Sequence, residues 1–179
     1  MRTFRFDCAY IRSCVTRLLR LRLPLFRWGD LTYICNGTVA KISFMERVVR
    51  VPKEILSTTD APPPIAPYSH GTKAGGFVFV SGQGPTNPKT KQTPEDIEGQ
   101  TRQVLENLKA IVEAGGGTMN DVVQCTVILR NMNDYAKANA VYGTYFPKDP
   151  PARTCWEAGN PRGYGQLVEI NAIAYVGDK

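Results

Sequence analysis

The apolar positions of this chain change period several times, and each change marks an element. Over residues 167–176, Val168, Ile170, Ala172, Ala174 and Val176 alternate with Leu167, Glu169, Asn171, Ile173 and Tyr175, which predicts a strand with two distinct faces. Residues 77–81 form another, with Phe77 and Phe79 on one side and Val78 and Val80 on the other, so both of its faces need cover. Residues 122–129, apolar at Val123, Cys125, Val127 and Leu129, and residues 152–157 read as two more strands. Arg47-Val48-Val49-Arg50-Val51 reads as a first strand ended by Pro52, and Pro62-Pro63-Pro64 holds residues 57–67 as an extended loop leading to Tyr68. Gly82-Gln83-Gly84-Pro85 predicts a sharp turn.

Helical spacing governs the segments between the later strands. Ile97, Val104, Leu105, Leu108, Ile111 and Val112 fall on one stripe, with Thr93 as the expected N-cap, Pro94 in the first helical position and Gly115-Gly116-Gly117 as the stop. A second helix over residues 134–146 turns Tyr135, Ala138, Val141, Tyr142 and Tyr145 inward and ends at Pro147. The resulting order predicts an α+β fold, a mixed β-sheet with two helices on one face. The other face of the last strand carries Leu, Ile and Tyr beside an acid and an amide, which an oligomer would cover. That places Glu169 and Arg153 near a subunit boundary.

Charge changes this picture little. Residues 1–50 hold ten Lys/Arg against three Asp/Glu, and residues 51–179 hold twelve against thirteen, so the overall +6 splits into +7 and −1. The near-neutral second part offers no basic stripe, so no nucleic-acid partner is expected. Residues 1–44 are a basic N-terminal extension, read either as a mitochondrial presequence or as a disordered or untranslated upstream stretch with Met45 as the working start. The domain proper is then 45–179, mitochondrial if the extension acts as a presequence and otherwise cytoplasmic. Five cysteines without a CxxC pair, and the single His70, suggest neither a metal site nor a disulfide framework. The longest uncharged stretch near the N-terminus is too short to span a membrane.

The chemistry concentrates around Pro151-Ala152-Arg153-Thr154-Cys155 and Glu169. An arginine among small residues in an apolar segment is suited to holding an anion, and an acid interrupting a buried strand is suited to proton transfer. The reading places this pair on neighbouring strands. A structural salt bridge from Arg153 to Glu169 or Glu157 is the plain alternative. Cys155 lacks a histidine nearby in sequence to activate it and reads as a small buried residue, while His70 reads as a solvated loop residue.

Eight ordered blocks carry a resemblance: Pro64 to Ser69, Val80 to Gln83, Asn87 to Thr90, Gln100 to Gln103, Asn107 to Ile111, Asn139 to Tyr142, Pro151 to Cys155 and Val168 to Ile170. The chain resembles the Rid family, the reactive intermediate deaminases also called YjgF-like proteins. That resemblance implies a chorismate-mutase-like fold assembled as a homotrimer with clefts between subunits. It also implies hydrolysis of 2-imino acids such as 2-iminobutanoate and 2-iminopropanoate, or their enamine tautomers, to 2-keto acids and ammonia without a cofactor. In that reading Arg153 grips the substrate carboxylate, Glu169 handles the water and the leaving amine, and Tyr68 closes the cleft. Ser81 and Gly82 shape its wall, Asn139 adds an amide contact, and Thr154 and Cys155 line the ligand. Residues 156–166 depart from the family pattern, which leaves open a specialised substrate, and a non-catalytic binding or chaperone-like trimer is the other alternative.

Overall fold

The structure, a computed structural model, describes residues 26–35, 38–46, 52–159 and 165–177. The chain divides into two compact units between Arg50 and Val51. In the first, β1 (Phe26–Cys35) and β2 (Thr38–Glu46) pair antiparallel, with Cys35 opposite Thr38. The two strands overlap the stretch 1–44 read as a basic extension, and its boundary falls within β2. Residues 1–25 and the strand expected over residues 47–51 lie outside the described residues.

The second unit runs β3 (Glu54–Leu56), β4 (Gly71–Ala74), β5 (Phe77–Gln83), α1 (Ile97–Ala114), β6 (Val122–Leu129), α2 (Tyr135–Tyr145), β7 (Ala152–Glu157) and β8 (Val168–Tyr175). Its six strands lie in the order β3-β4-β5-β8-β6-β7. All neighbours are antiparallel except β6 and β7, whose parallel pairing is bridged by α2. This is the expected α+β architecture, a mixed sheet with its two helices on one face.

Burial follows the pleat. Val168, Ile170, Ala172 and Ala174 of β8 are buried beneath the helices with Val78 and Val80 of β5, and they meet Val104, Leu105, Leu108, Ile111 and Val112 of α1. Fully burying an aliphatic side chain of this size contributes about 1.5–3 kcal/mol, so this stripe dominates the stability of the unit. The opposite face leaves Phe77, Phe79, Trp156 and Tyr175 exposed, with the Phe77 and Tyr175 ring centroids 5.0 Å apart.

Several local expectations need correction. Asp96, not Thr93, caps α1: its Oδ1 accepts the Gly99 N–H at 2.7 Å, and Pro94 lies before the helix. The short β4, in a stretch of weak strand formers, is closed onto β5 as a tight hairpin by Gly75 and Gly76, at φ of 55° and 78°. β5 continues through Gln83 where a sharp turn was expected, because a bulge between Val80 and Gln83 absorbs Ser81 and Gly82. A second bulge between Val122 and Gln124 turns Val123 to solvent and brings Val122 inward. Tyr135, expected inward, is 37% exposed.

Candidate functional site

The sheet order separates what the sequence had joined. β7 pairs only with β6 among the described strands, and β6 lies between it and β8, so Arg153 and Glu169 are not on neighbouring strands. Register then sets their faces. Arg153 sits beside Cys125, which sits beside Ala172, all on the helix-covered side; Glu169 sits beside Ile128, which sits beside Trp156, on the other. Within one chain the two residues belong to two separate groups.

The first group is the corner between β7 and α2. Arg153 is half-buried and donates from Nη1 to Asn139 Oδ1 at 2.6 Å and from Nη2 to Tyr135 Oη at 3.0 Å. Its guanidinium carbon lies 4.7 Å from the Tyr142 ring centroid and 5.6 Å from that of Tyr135. A cation held over aromatic faces keeps its charge while losing water, so this arginine is oriented before any ligand arrives. Residues 135, 139 and 142 reach it together because steps of four and three place them on one helix face. Tyr135 and Tyr142 were assigned to packing from the same periodicity. Only the pairing of β7 shows that the face they share meets a guanidinium.

Cys155 is half-buried on the same sheet face, and burial raises its thiol above the ordinary value, with the nearby Arg153 charge opposing. The Cys125 thiol is also raised, first by burial, with Tyr142 and Arg153 acting against it. Both observations favour neutral, unreactive thiols. The Tyr142 phenol is pushed up by burial and then by Cys125, and its hydroxyl has no partner of normal hydrogen-bond geometry among the described residues. Thr154 alternates to the opposite face, beside Thr126, and is exposed.

The second group forms where β5 meets β8. Gly82 lies against Glu169 so closely that a Cβ there would sit 2.0 Å from Glu169 Oε1. The absent side chain, in a bulge, is what admits the carboxylate. Ser81 Oγ donates to the Ser69 carbonyl at 2.7 Å and its N–H donates to the His70 carbonyl at 3.0 Å, so Ser81 ties the Tyr68 loop to the strand. The Tyr68 hydroxyl accepts from the Ile65 N–H at 3.4 Å, and Tyr68 lines a cavity of about 240 Å³ with Pro62, Pro63, Gln83 and Gln166. His70, expected to be solvated, is buried: its Nε2 is 2.8 Å from the Pro62 carbonyl and its Nδ1 accepts from the Thr58 N–H. It serves as a brace for the proline-rich loop.

Glu157, the other acid weighed as an arginine partner, instead accepts the Met132 N–H at 2.7 Å. Among the described residues no three His, Cys, Asp or Glu side chains cluster, and no helix is long and apolar enough to cross a membrane.

Residues 58–176 match the family model described as endoribonuclease L-PSP. The chain belongs to this family, the YjgF-like proteins. A RutC family protein of Pyrococcus horikoshii is 52% identical over 125 residues, covering 69% of this chain and 98% of the relative. The 2-iminobutanoate/2-iminopropanoate deaminase of Escherichia coli K12 is 42% identical over 123 residues, 66% of this chain and 94% of its own. Among solved structures, E. coli TdcF with bound serine superposes with a TM-score of 0.66 at 38% identity, covering 68% of this chain and 98% of that one. The YjgF-like domain therefore has relatives named for imine deamination, and its two polar groups lie within the matched segment.

Proposed function

We propose that the protein hydrolyses short 2-imino acids, among them 2-iminobutanoate and 2-iminopropanoate, to 2-keto acids and ammonia, and that it does so as a homotrimer. The observation that carries this reading is the division of the polar residues into two groups on opposite sheet faces. A preoriented cation waits in one and a carboxylate in the other, and neither alone can both hold and hydrolyse an imino acid. The exposed Phe77, Phe79, Trp156 and Tyr175 supply an apolar face for subunits to share, so that Arg153 and Asn139 of one copy meet Tyr68, Gly82 and Glu169 of the next.

The chemistry needs no more than these groups. Arg153 takes the substrate carboxylate, an interaction between charged partners of about 1.5–3 kcal/mol. Glu169 removes a proton from a water as its oxygen bonds to the iminium carbon, and the electron pair of the C=N bond moves to nitrogen. The proton then passes to that nitrogen, the C–N bond breaks, ammonia leaves, and the carbinol oxygen closes to the keto group as its proton is lost. Positioning water and carboxylate in one cleft contributes most of the acceleration.

Subunit complementation tests the reading. Arg153→Ala and Glu169→Gln proteins should each lose ammonia release from 2-iminobutanoate. Mixed after unfolding and reassembly, they should recover roughly a quarter of parental activity, since random assortment gives each cleft even odds of an intact arginine and an intact acid. No recovery would refute a cleft shared between copies, and full activity in either single variant would refute the catalytic assignment.

A further inference from the structure

The Arg153 guanidinium has five N–H donors, of which one goes to Asn139 and one to Tyr135. Those two bonds have different consequences for their acceptors. Asn139 gives its Oδ1 and keeps both Nδ2 hydrogens available. Tyr135, whose oxygen already accepts, must direct its own O–H hydrogen elsewhere, and among the described residues no acceptor takes it. The residue is 37% exposed and its bond to Arg153 lies at the surface, so the hydroxyl is accessible to a ligand. Tyr142 differs: its ring lies closer to the guanidinium carbon, but its hydroxyl is buried behind it, beside Cys125.

We propose that Tyr135 is a ligand-binding residue that donates its hydroxyl hydrogen to the same carboxylate that Arg153 grips. The ligand class is a short 2-imino or 2-keto carboxylate, and in this respect the inference rests on the function proposed above. A pair of the arginine's three remaining N–H groups and the Tyr135 O–H then converge on one anion. Asn139 N–H donors remain for a neighbouring oxygen or nitrogen of the ligand. Tyr142 is the platform and Tyr135 the added donor, although both sit on one helix face, four residues before and three residues after Asn139 for Tyr135 and Tyr142 respectively. A phenylalanine at position 135 would keep the ring beside the guanidinium and remove only the donor.

The test uses the full chain and its Tyr135→Phe variant, with the stable keto acid 2-oxobutanoate as a binding probe and 2-iminobutanoate as substrate. Removing one hydrogen bond to a charged group predicts a rise in Kd for 2-oxobutanoate and in KM of roughly ten- to a hundredfold. The kcat should stay within about twofold, because the lost contact holds substrate and transition state alike. The uncharged 2-oxobutanamide should bind both proteins equally. Replacing Tyr135 with 3-fluorotyrosine, a stronger donor and weaker acceptor, should tighten 2-oxobutanoate at about pH 7; weaker binding would show that the hydroxyl serves only as an acceptor for Arg153 and would overturn the proposal. Unchanged 2-oxobutanoate affinity in Tyr135→Phe, or equal loss of acid and amide, would also overturn it. Weaker keto-acid binding by the variant, together with no imine turnover by the parent, would sustain the tyrosine assignment and refute the deaminase reading. A parent that binds no 2-oxobutanoate would refute both.

Discussion

Gly82→Ala isolates the contact on which the acid half of the site depends. The new methyl carbon would lie 2.0 Å from Glu169 Oε1, 2.8 Å from Cδ and 3.3 Å from Cγ. Real contacts of this kind begin near 3.0 Å, so Oε1 must retreat by at least 1.0 Å, the difference between 3.0 and 2.0. Gly82 is not among the glycines at positive φ, so alanine fits its backbone. The atoms that must yield are the end of a flexible side chain, and stability should change by less than about 1 kcal/mol, or a few degrees in Tm. With Glu169 in its proposed role, activity should respond far more, since about 1 Å of misplacement at a reacting group lowers rates by about a hundredfold. Ammonia release from 2-iminobutanoate gives kcat/KM, and a thermal melt reports the fold. An alanine variant within about threefold of parental kcat/KM at unchanged Tm would show that Glu169 need not occupy this position. A large fall in Tm would show that the backbone, not the carboxylate, absorbs the collision.

Gly71→Ala makes the opposite prediction, because its methyl would meet the backbone carbonyl oxygen of Phe79 at 2.7 Å and Ile111 Cγ2 at 3.1 Å. Neither can easily move, so urea unfolding should show a loss of about 1–3 kcal/mol. Asn107 is fully buried, donates to the Gly84 and Thr86 carbonyls and accepts from Gln103 Nε2, so Asn107→Ala should cost about 2–4 kcal/mol in the same assay. Tyr142→Phe removes a buried hydroxyl without a normally bonded partner and keeps the ring under Arg153, so stability should hold or rise by up to about 1 kcal/mol. Stability should also fall as pH climbs above about 9. Burial raises the Cys125 and Cys155 thiols from their ordinary 9.0 and the Tyr142 and Tyr145 phenols from 10.0, so the unfolded chain releases these protons first. A Tm that increases between about pH 9 and 10.5 would contradict that sign.

The helical stripe of α1 and the alternation of β8 were legible because single-residue hydrophobicity, sampled at a period of 3.6 or 2, reports directly which side is buried. Every residue named on the α1 stripe is buried, as are Val168, Ile170, Ala172, Ala174 and Val176. Bulges were not legible. An inserted residue shifts the phase of the strand without changing its composition, and so Val123 turned outward and Gln83 inward. His70 shows the same blindness from another direction, since a polar residue in a proline-rich loop reads as solvated until the loop folds its own Pro62 carbonyl onto the imidazole.

For the candidate site, local pattern identified the α+β class, the two helices, and Arg153 and Glu169 as charges out of keeping with their apolar segments. Local pattern could not say which strands are neighbours. β6, contributed from earlier in the chain, separates β7 from β8, and the register across it puts the arginine and the acid on different faces. The same long-range pairing set Tyr135 and Tyr142 against a guanidinium, Tyr142 remaining in the core as expected and Tyr135 lying partly exposed. Periodicity is a property of adjacent residues, whereas a site is made by contacts between residues far apart in sequence, and strand order and register decide those contacts.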